Sequence, residues 1–521
     1  MRPKDRCRAP NQSFVKNAAS LKEILDNRER RAERQRELIT LYGTPLVSFT
    51  MNIPGMVKTG RLIRKGFDLG TRLIEAAVPF SHKEEYESPC GYEALYCVTG
   101  DAAEIKRKMA DVEASAPCGR LFDIDVIRTA GTQVSRQELG LPARACLLCG
   151  NDARMCRRAD THTTGELYLA ALSLLHKTFQ MPSAGSLPAG TERENHALPD
   201  PAGIDVDACS QYLGETAASA LKAELDATPK PGLVDRDGCG SHADMDYGTF
   251  LHSITALKPY FTTFARAGLL TADEAPEDTF ELIRDIGKGA EKAMFAATGG
   301  VNTHKGAVFV MGLAAAAAGR VLAAGRTPKK SAAESRPFSG ASAAASVKTA
   351  APEQLSGVKP EQADLAEPVL AECARMTAGI TGRDFAGITS ENAKTIGERL
   401  FALCGITGIR GEAEAGFPAV REAGLPYYRQ ALQSGMNEND AACIALLVIL
   451  CHTTDTCLIK RGGVSRAAEI TAMIRGMLSS DAVSCDVLTD LDRLFVSENL
   501  SPGGSADLLS LTIFLYRLAV R

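Results

Sequence analysis

Residues 177 to 205 contain "QMPSAGSLPAGTERENHALPDPAG", a run rich in proline, glycine and polar residues with no apolar period. Such a run has too little apolar surface to join a core, so it reads as a linker (177 to 206) that divides the chain in two. At 521 residues the chain also exceeds what one hydrophobic core normally supports. The two sides differ in pattern. Before the run, "LKEILDNRERRAERQRELITL" and "DAAEIKRKMADVEAS" have helical composition and spacing, while "TPLVSFTMNI", "ALYCVTG" and "RLFDIDVI" read as short strands. An α+β N-terminal domain is expected there. From residue 207 onward, long helical segments alternate with Gly-rich or Pro-rich turns, and an all-α C-terminal domain is expected. Within it, residues 326 to 364 are of low complexity and read as a disordered loop inserted between two helices.

A formal charge of −4 argues against a general nucleic-acid binder. The basic N-terminus has no apolar stretch behind it, and "GAVFVMGLAAAAAG" and "AACIALLVILC" are too short to span a bilayer, so neither a leader nor a membrane partner is expected. Fifteen cysteines without a secretion signal point to reduced thiols in a cytoplasm. Cys146, Cys149, Cys156 and His162 in "CLLCGNDARMCRRADTH" have spacings loosely compatible with zinc. Arg154, Arg157 and Arg158 make equal sense as phosphate contacts beside small thiols, and zinc is not the expected occupant.

On a strand, Asp123 and Asp125 of "GRLFDIDVI" project from one face while Phe122, Ile124 and Val126 face the core. Two carboxylates that close repel unless a hard divalent cation sits between them. The same spacing also fits a surface strand whose outer face carries acids. Gly119 and Arg120 upstream would offer close backbone approach and a fixed positive fork, which suits a phosphate.

Five polar motifs interrupt the helical half where apolar periods break. "TPKPGLVDRDGCGSHADMDY" is a rigid loop carrying Asp235, His242, Asp244 and Asp246. "ATGGVNTHKG" is a turn through Gly299 and Gly300 into an apolar helix, placing His304 and Lys305 where a phosphate would rest against free amides. "GIRGEAEAGFP" supplies Arg410 and Glu412. "CHTTDTCLIKRGG" supplies Asp455 and Arg461 after a wholly apolar helix, where desolvation raises a carboxylate's pKa. "NLSPGGSADLLSLT" brings Gly503, Gly504, Ser505 and Asp507, and an N-cap by Ser505 would account for part of it without function. Together, acids, glycines and cations at the ends of buried helices are what a nucleoside triphosphate with Mg²⁺ requires.

Through "TPKPGLVDR", "MFAATGGVNTHKGAVF", "GIRGEAEAGFP", "DTCLIKRGG" and "NLSPGGSADLLSLT", the helical half resembles triphosphoribosyl-dephospho-coenzyme A synthase. Through "RRAERQ", "MNIPGMVK", "GRLFDIDVI", "SRQELGLPARACLLC" and "CRRADTHTTGEL", residues 20 to 176 resemble the apo-citrate lyase phosphoribosyl-dephospho-coenzyme A transferase, with Met56 where a second proline is expected. The resemblance implies a bifunctional fusion with a nucleotidyltransferase-type first domain and a synthase domain over 207 to 521. It implies ATP and 3′-dephospho-coenzyme A as substrates, Mg²⁺ as cofactor, and the citrate lyase acyl carrier protein as partner. Asp123 and Asp125 would then be Mg²⁺ ligands, with Arg120, Arg144, Arg158 and Lys58 around the phosphates. Asp235, Asp246, Glu412, Asp455 and Asp507 would be the acids of the synthase, with His304 and Lys305 on the triphosphate and Arg410 and Arg461 as further cations. The alternatives are the same chemistry for malonate decarboxylase, and a non-catalytic carrier-binding protein.

Overall fold

The computed structural model describes residues 19–55, 57–180, 204–325, 364–480 and 483–519. Met56, nearly all of the 326–364 insert and most of the expected linker lie outside them. The described residues fall into two compact units, one within Met1–Asp200 together with Asp273–Lys292, the other within Pro201–Ala272 together with Ala293–Arg521.

The first unit opens with α1 (Leu21–Tyr42), started by a capping box between Ser20 and Glu23 and stopped by Gly43 at φ 63°. Strand β1 (Leu46–Met51) leads to α2 (Arg61–Ala77), then the hairpin of β2 (Phe80–Ser88) and β3 (Gly91–Val98). Helix α3 (Ala102–Ala114) and a short 3₁₀ turn, Pro117–Leu121, precede β4 (Phe122–Ile127), so Arg120 sits in the turn and the strand starts at Phe122. Helices α4 (Ala153–Arg158) and α5 (Thr164–Gln180) follow, the latter continuing past the expected linker start at 177, and the first part of a later helix, Pro276–Ala297, also belongs to this unit. The strands form one antiparallel sheet in the order β2-β3-β1-β4.

One face of that sheet is apolar across β3, β1 and β4, and only the edge strand β2 puts charges, such as Lys83 and Glu85, on it. Phe49 stacks on Phe67 of α2 at 5.1 Å between ring centroids and meets Phe122 edge-on at 5.3 Å, all three fully buried. Each such side chain contributes roughly 1.5–3 kcal/mol by burial. The other face changes character along its length. At one end Leu46, Leu95 and Cys97 pack under Leu38 and Ile39 of α1. At the other end it is polar, and that end carries the site.

The second unit is helical. Its elements are α6 (Val206–Asp226), α7 (Tyr247–Leu270), the last part of α8 (Pro276–Ala297), α9 (Lys305–Ala323), α10 (Ala366–Met376), α11 (Ile380–Asp384), α12 (Ile396–Cys404) and α13 (Ile409–Glu414). A π-helical turn, Ala419–Gly424, runs into α14 (Leu425–Gln433), followed by α15 (Glu438–His452), α16 (Thr456–Ser479), α17 (Cys485–Ser497) and α18 (Gly503–Ala519). Helix α9 is long and apolar enough to cross a membrane by length and composition, yet 78% of its apolar window is buried inside the protein. It packs against α7 so closely that a Cβ at Gly268 would lie 1.9 Å from the Ala316 carbonyl oxygen. Arg320 of α9 is buried and donates to Glu372 of α10 at 2.7 Å, tying the two helices by a desolvated ion pair.

Candidate functional site

Strand alternation places Asp123 and Asp125 on the polar end of the sheet while Phe122, Ile124 and Val126 are fully buried behind them. Their β1 partners are Thr50 and Ser48, and Thr50 in turn pairs with Glu93 of β3. The charged middle of α1 covers this end. Gln35 donates to Ser48 Oγ at 3.0 Å, and Arg30 and Arg31 reach the buried Glu93 at 2.5 and 2.9 Å. Burial holds the Asp125 carboxyl above the usual range, and the charge of Asp123 raises it further. Lys106 of α3, itself buried, donates to the Ile124 carbonyl behind the two acids.

Arg144 bridges Asp123 at 3.3 Å and Glu113 at 3.0 Å, so it stands at the carboxylate pair. Arg120 does not point at that pair; its guanidinium donates to the backbone carbonyls of Ala145 and Cys146 at 3.4 and 3.0 Å. Lys58 donates to the Ile53 carbonyl, and burial lowers its pKa, so it braces the "NIPG" turn. Arg158 is exposed in the last turn of α4. The ligand atoms of Cys146, Cys149, Cys156 and His162 all lie within 4.8 Å of one another, a gathering that the spacing left open and the sequence reading did not favour.

In the second unit, the N-termini of α9, α16 and α18 converge. Asp455 caps α16, accepting from the amides of Cys457 and Leu458 at 2.9 and 3.0 Å with one oxygen. Its other oxygen accepts from the Ser505 amide at 2.7 Å and hydroxyl at 2.8 Å. Ser505 is therefore a donor to Asp455 inside α18. A Cβ at Gly306 would stand 2.0 Å from Asp507 Oδ2, which puts the first turn of α9 directly on the Asp507 carboxylate. Burial pushes the Asp507 pKa well up, and the charges of Glu224 and Asp455 push it further. Burial also raises Asp455. Glu224 is fully enclosed in an ion pair with Lys230 at 2.5 Å. Asp235 accepts from the Lys230 amide at 2.9 Å and from the Asp237 and Gly238 amides at 2.9 and 3.1 Å, holding that loop closed. His304, 3% exposed, shares a 2.7 Å hydrogen bond through Nδ1 with Ser253, and burial lowers its pKa to about 3, so the imidazole is neutral. Its Nε2 is buried without a hydrogen-bond partner among the described residues.

Next to the Asp455 turn lies a cleft of about 350 Å³ lined by Gly405, Thr407, Gly408, Glu412, Thr453 and Thr454. Glu412 accepts from the Thr453 hydroxyl at 3.0 Å, and burial raises its pKa. Gly504, Asp455 and Asp507 thus meet the start of α9 just after His304, while Asp235 joins through Lys230 and Glu412 lines the cleft beside Thr453.

Other sequence candidates have structural work instead. Asp246 is an exposed N-cap of α7, its pKa lowered by Thr249 in a capping box. Arg410 pairs with Asp384 at 2.8 Å over the Phe385 ring. Arg461 clamps the Ser241 carbonyl at 2.8 Å and Asn499 Oδ1 at 2.6 Å. Gly299 and Gly300 form an open left-handed turn, and Lys305 is exposed just beyond it. The reading of the sequence missed Glu224, Lys230, Gln35, Glu93 and Lys106. For Lys106 and Glu224 a signal existed, since each is a charge on the buried stripe of an amphipathic helix.

Comparison with known proteins adds two ordered matches. Residues 19–178 match the family model described as apo-citrate lyase phosphoribosyl-dephospho-CoA transferase. Residues 210–521 match that described as ATP:dephospho-CoA triphosphoribosyl transferase. Protein CitXG of Haemophilus influenzae is 32% identical, with 95% of this chain and 95% of the relative covered. Protein CitXG of Leuconostoc mesenteroides subsp. cremoris is also 32% identical, covering 96% of this chain and 97% of the relative. A probable 2-(5″-triphosphoribosyl)-3′-dephosphocoenzyme-A synthase of Albidiferax ferrireducens is 38% identical over 62% of this chain and 95% of its own length.

Proposed function

The chain belongs to the family of bifunctional transferases that fuse these two activities in citrate lyase prosthetic-group synthesis, and on that premise we propose two consecutive reactions. In the first, residues 207–521 join ATP to 3′-dephospho-coenzyme A. The 2′-hydroxyl oxygen forms a bond to ribose C1′, the C1′–N9 bond breaks, and adenine leaves with a proton, while the triphosphate stays on the product. Positive charge develops on C1′ as the base departs, and a neighbouring carboxylate stabilises it.

The observation that carries this reading is the convergence of three helix N-termini on Asp455, Asp507 and Glu224. The dipoles of those helix N-termini favour a polyphosphate, while the Cys457, Leu458 and Ser505 amides are already taken by Asp455. Among the described residues the acids outnumber the buried Lys230 paired with Glu224, so a polyphosphate there would need a divalent cation to offset them. Asp455, fixed by four donors, suits the developing cation. Glu412 lines the neighbouring cleft with a raised pKa and suits proton delivery to adenine.

In the second reaction, residues 20–176, proposed as a nucleotidyltransferase-type domain joined by the 177–206 linker, transfer the product. A serine hydroxyl oxygen of the citrate lyase acyl carrier protein bonds to the α-phosphorus, the α–β bridge breaks, and pyrophosphate leaves with the serine proton. Asp123 and Asp125 share one face, with the Asp125 carboxyl raised by burial and further by Asp123, and such an oxygen pair fits a hard divalent cation. Magnesium held there would neutralise charge on the phosphates. Arg144 reaches the same pair and suits the α-phosphate once released from Asp123. With these substrates the proposed location is the cytoplasm.

The test is mass spectrometry of apo carrier protein incubated with this chain, ATP, Mg²⁺ and 3′-dephospho-coenzyme A. Wild type is expected to add the phosphoribosyl-dephospho-coenzyme A mass, and Asp123→Asn to release adenine without adding it. Absence of a mass gain from wild type that still releases adenine would remove the transfer assignment. A parallel incubation with a malonate decarboxylase carrier separates the two carrier classes.

A further inference from the structure

The cysteine-rich segment after β4 folds three cysteines and a histidine together. Cys146 and Cys149 flank a tight turn closed by the Cys146 amide donating to the Asn151 carbonyl at 2.6 Å and the Ala153 amide to the Arg144 carbonyl at 3.1 Å. Gly150, immediately after the second cysteine, takes φ 74°, a left-handed conformation in which a side chain would be strained. That turn folds Cys149 back beside Cys146. Asp152 then caps α4 through the Arg154 amide at 2.7 Å, and one turn of helix delivers Cys156 with its sulfur 3.2 Å from that of Cys149. Asp160, a non-glycine residue at φ 47°, reverses the chain so that His162 returns to the three sulfurs.

Four ligand atoms within 4.8 Å of one another enclose the volume of one ion. A tetrahedral zinc centre with Zn–S near ~2.3 Å and Zn–N near ~2.1 Å has ligand separations of roughly 3.5–3.8 Å, so small side-chain adjustments close the shell. A second observation concerns the histidine itself. His162 Nε2 is buried with no hydrogen-bond partner among the described residues, an arrangement that costs free energy unless something ligates it. The set has three sulfurs, one nitrogen and no oxygen, which selects zinc over magnesium or calcium.

We propose that Cys146, Cys149, Cys156 and His162 bind one structural zinc ion that fixes residues 144–162 beside β4. The placement explains what the ion would hold. Arg144 at the start of the knuckle reaches Asp123, and Arg120 is anchored on the carbonyls of Ala145 and Cys146. A closed four-ligand shell leaves no open position, so the ion organises the loop and takes no part in bond making.

The full chain, purified anaerobically from zinc-replete medium, is assayed for metal by plasma mass spectrometry, and cobalt is exchanged in for its absorption spectrum. About one zinc per chain is expected, with thiolate-to-cobalt charge transfer and tetrahedral ligand-field bands after exchange. Cys149→Ser and His162→Ala are expected to lose the metal, whereas His162→Cys and the distant Cys485→Ser keep it. If Cys149→Ser proves insoluble, the wild-type cobalt spectrum and His162→Cys decide the matter. Metal-free wild type with all thiols reduced, a Cys149–Cys156 disulfide in place of metal, iron with cluster absorption, or zinc retained by Cys149→Ser would each overturn the proposal.

Discussion

Replacing Gly306 by alanine tests the catalytic placement of Asp507 without touching its chemistry. The new Cβ would stand 2.0 Å from Asp507 Oδ2, whereas ordinary contact begins at 3.4 Å. The carboxylate must therefore retreat by about 1.4 Å, and it cannot drift toward Glu224 or Asp455 without meeting like charge. A misplacement of that size at a reacting centre costs on the order of 100-fold in rate, so adenine release should fall about 100-fold. The protein should stay folded: alanine gains about 1 kcal/mol of helix propensity, and overpacking costs about 1–3 kcal/mol, leaving a net loss of roughly 0–2 kcal/mol. Gly312→Ala is the matched control on the same helix. Its Cβ would lie 2.9 Å from Phe264 Cε2 in the core, so it should cost similar stability and leave adenine release within about 2-fold. Chromatographic adenine release and urea denaturation of both variants complete the assay. A folded Gly306→Ala protein turning over at the wild-type rate would refute the reasoning.

Asp507→Asn should abolish adenine release while raising stability at neutral pH. The folded-state pKa of Asp507 is raised, so the folded protein binds the extra proton, and the associated stability is complete below the unfolded pKa and lost as pH rises through the folded one. The stabilisation by Asp507→Asn, read from urea midpoints, should accordingly be larger at pH 8 than at pH 5; an equal gain at both would contradict it. Glu93→Gln removes the buried charge held by Arg30 and Arg31 and should lower the first unit's stability by about 2–4 kcal/mol, measured by denaturation monitored in that unit. His304→Phe removes the buried bond to Ser253 and should cost about 1–3 kcal/mol of stability, and it should weaken ATP binding, seen as a raised KM, if the neutral Nε2 meets substrate. An unchanged KM would return His304 to the core.

The sheet face of Asp123 and Asp125 was legible because period-two alternation in "FDIDVI" has one solution once Phe122, Ile124 and Val126 must be buried. Strand β2 was not. "FSHKEEYES" carries no apolar stripe, and it is a strand because β3 offers it a register and because Lys83 and Glu84 find Glu75 and Arg34. Asp246 and Asp455 look alike in sequence, since each is an acid before a helix. What separates them is that Asp246 faces solvent over Thr249 while Asp455 meets Ser505, fifty residues away. The acids of the second unit could be named but not grouped, because grouping depends on helix ends that converge only after packing. The cysteine–histidine gathering needed the left-handed turns at Gly150 and Asp160, and nothing in the spacing shows how far His162 returns.

Glu224, Gly306, Asp455 and Asp507 are drawn from α6, α9, the α16 cap and α18, so the helical centre is spread over most of its unit's length. During synthesis the ribosome exposes these pieces one at a time, and the carboxylates have no common neighbourhood until α18 has emerged. A nascent chain can therefore finish the sheet of the first unit early, yet its helical centre stays incomplete until translation of the second is almost over.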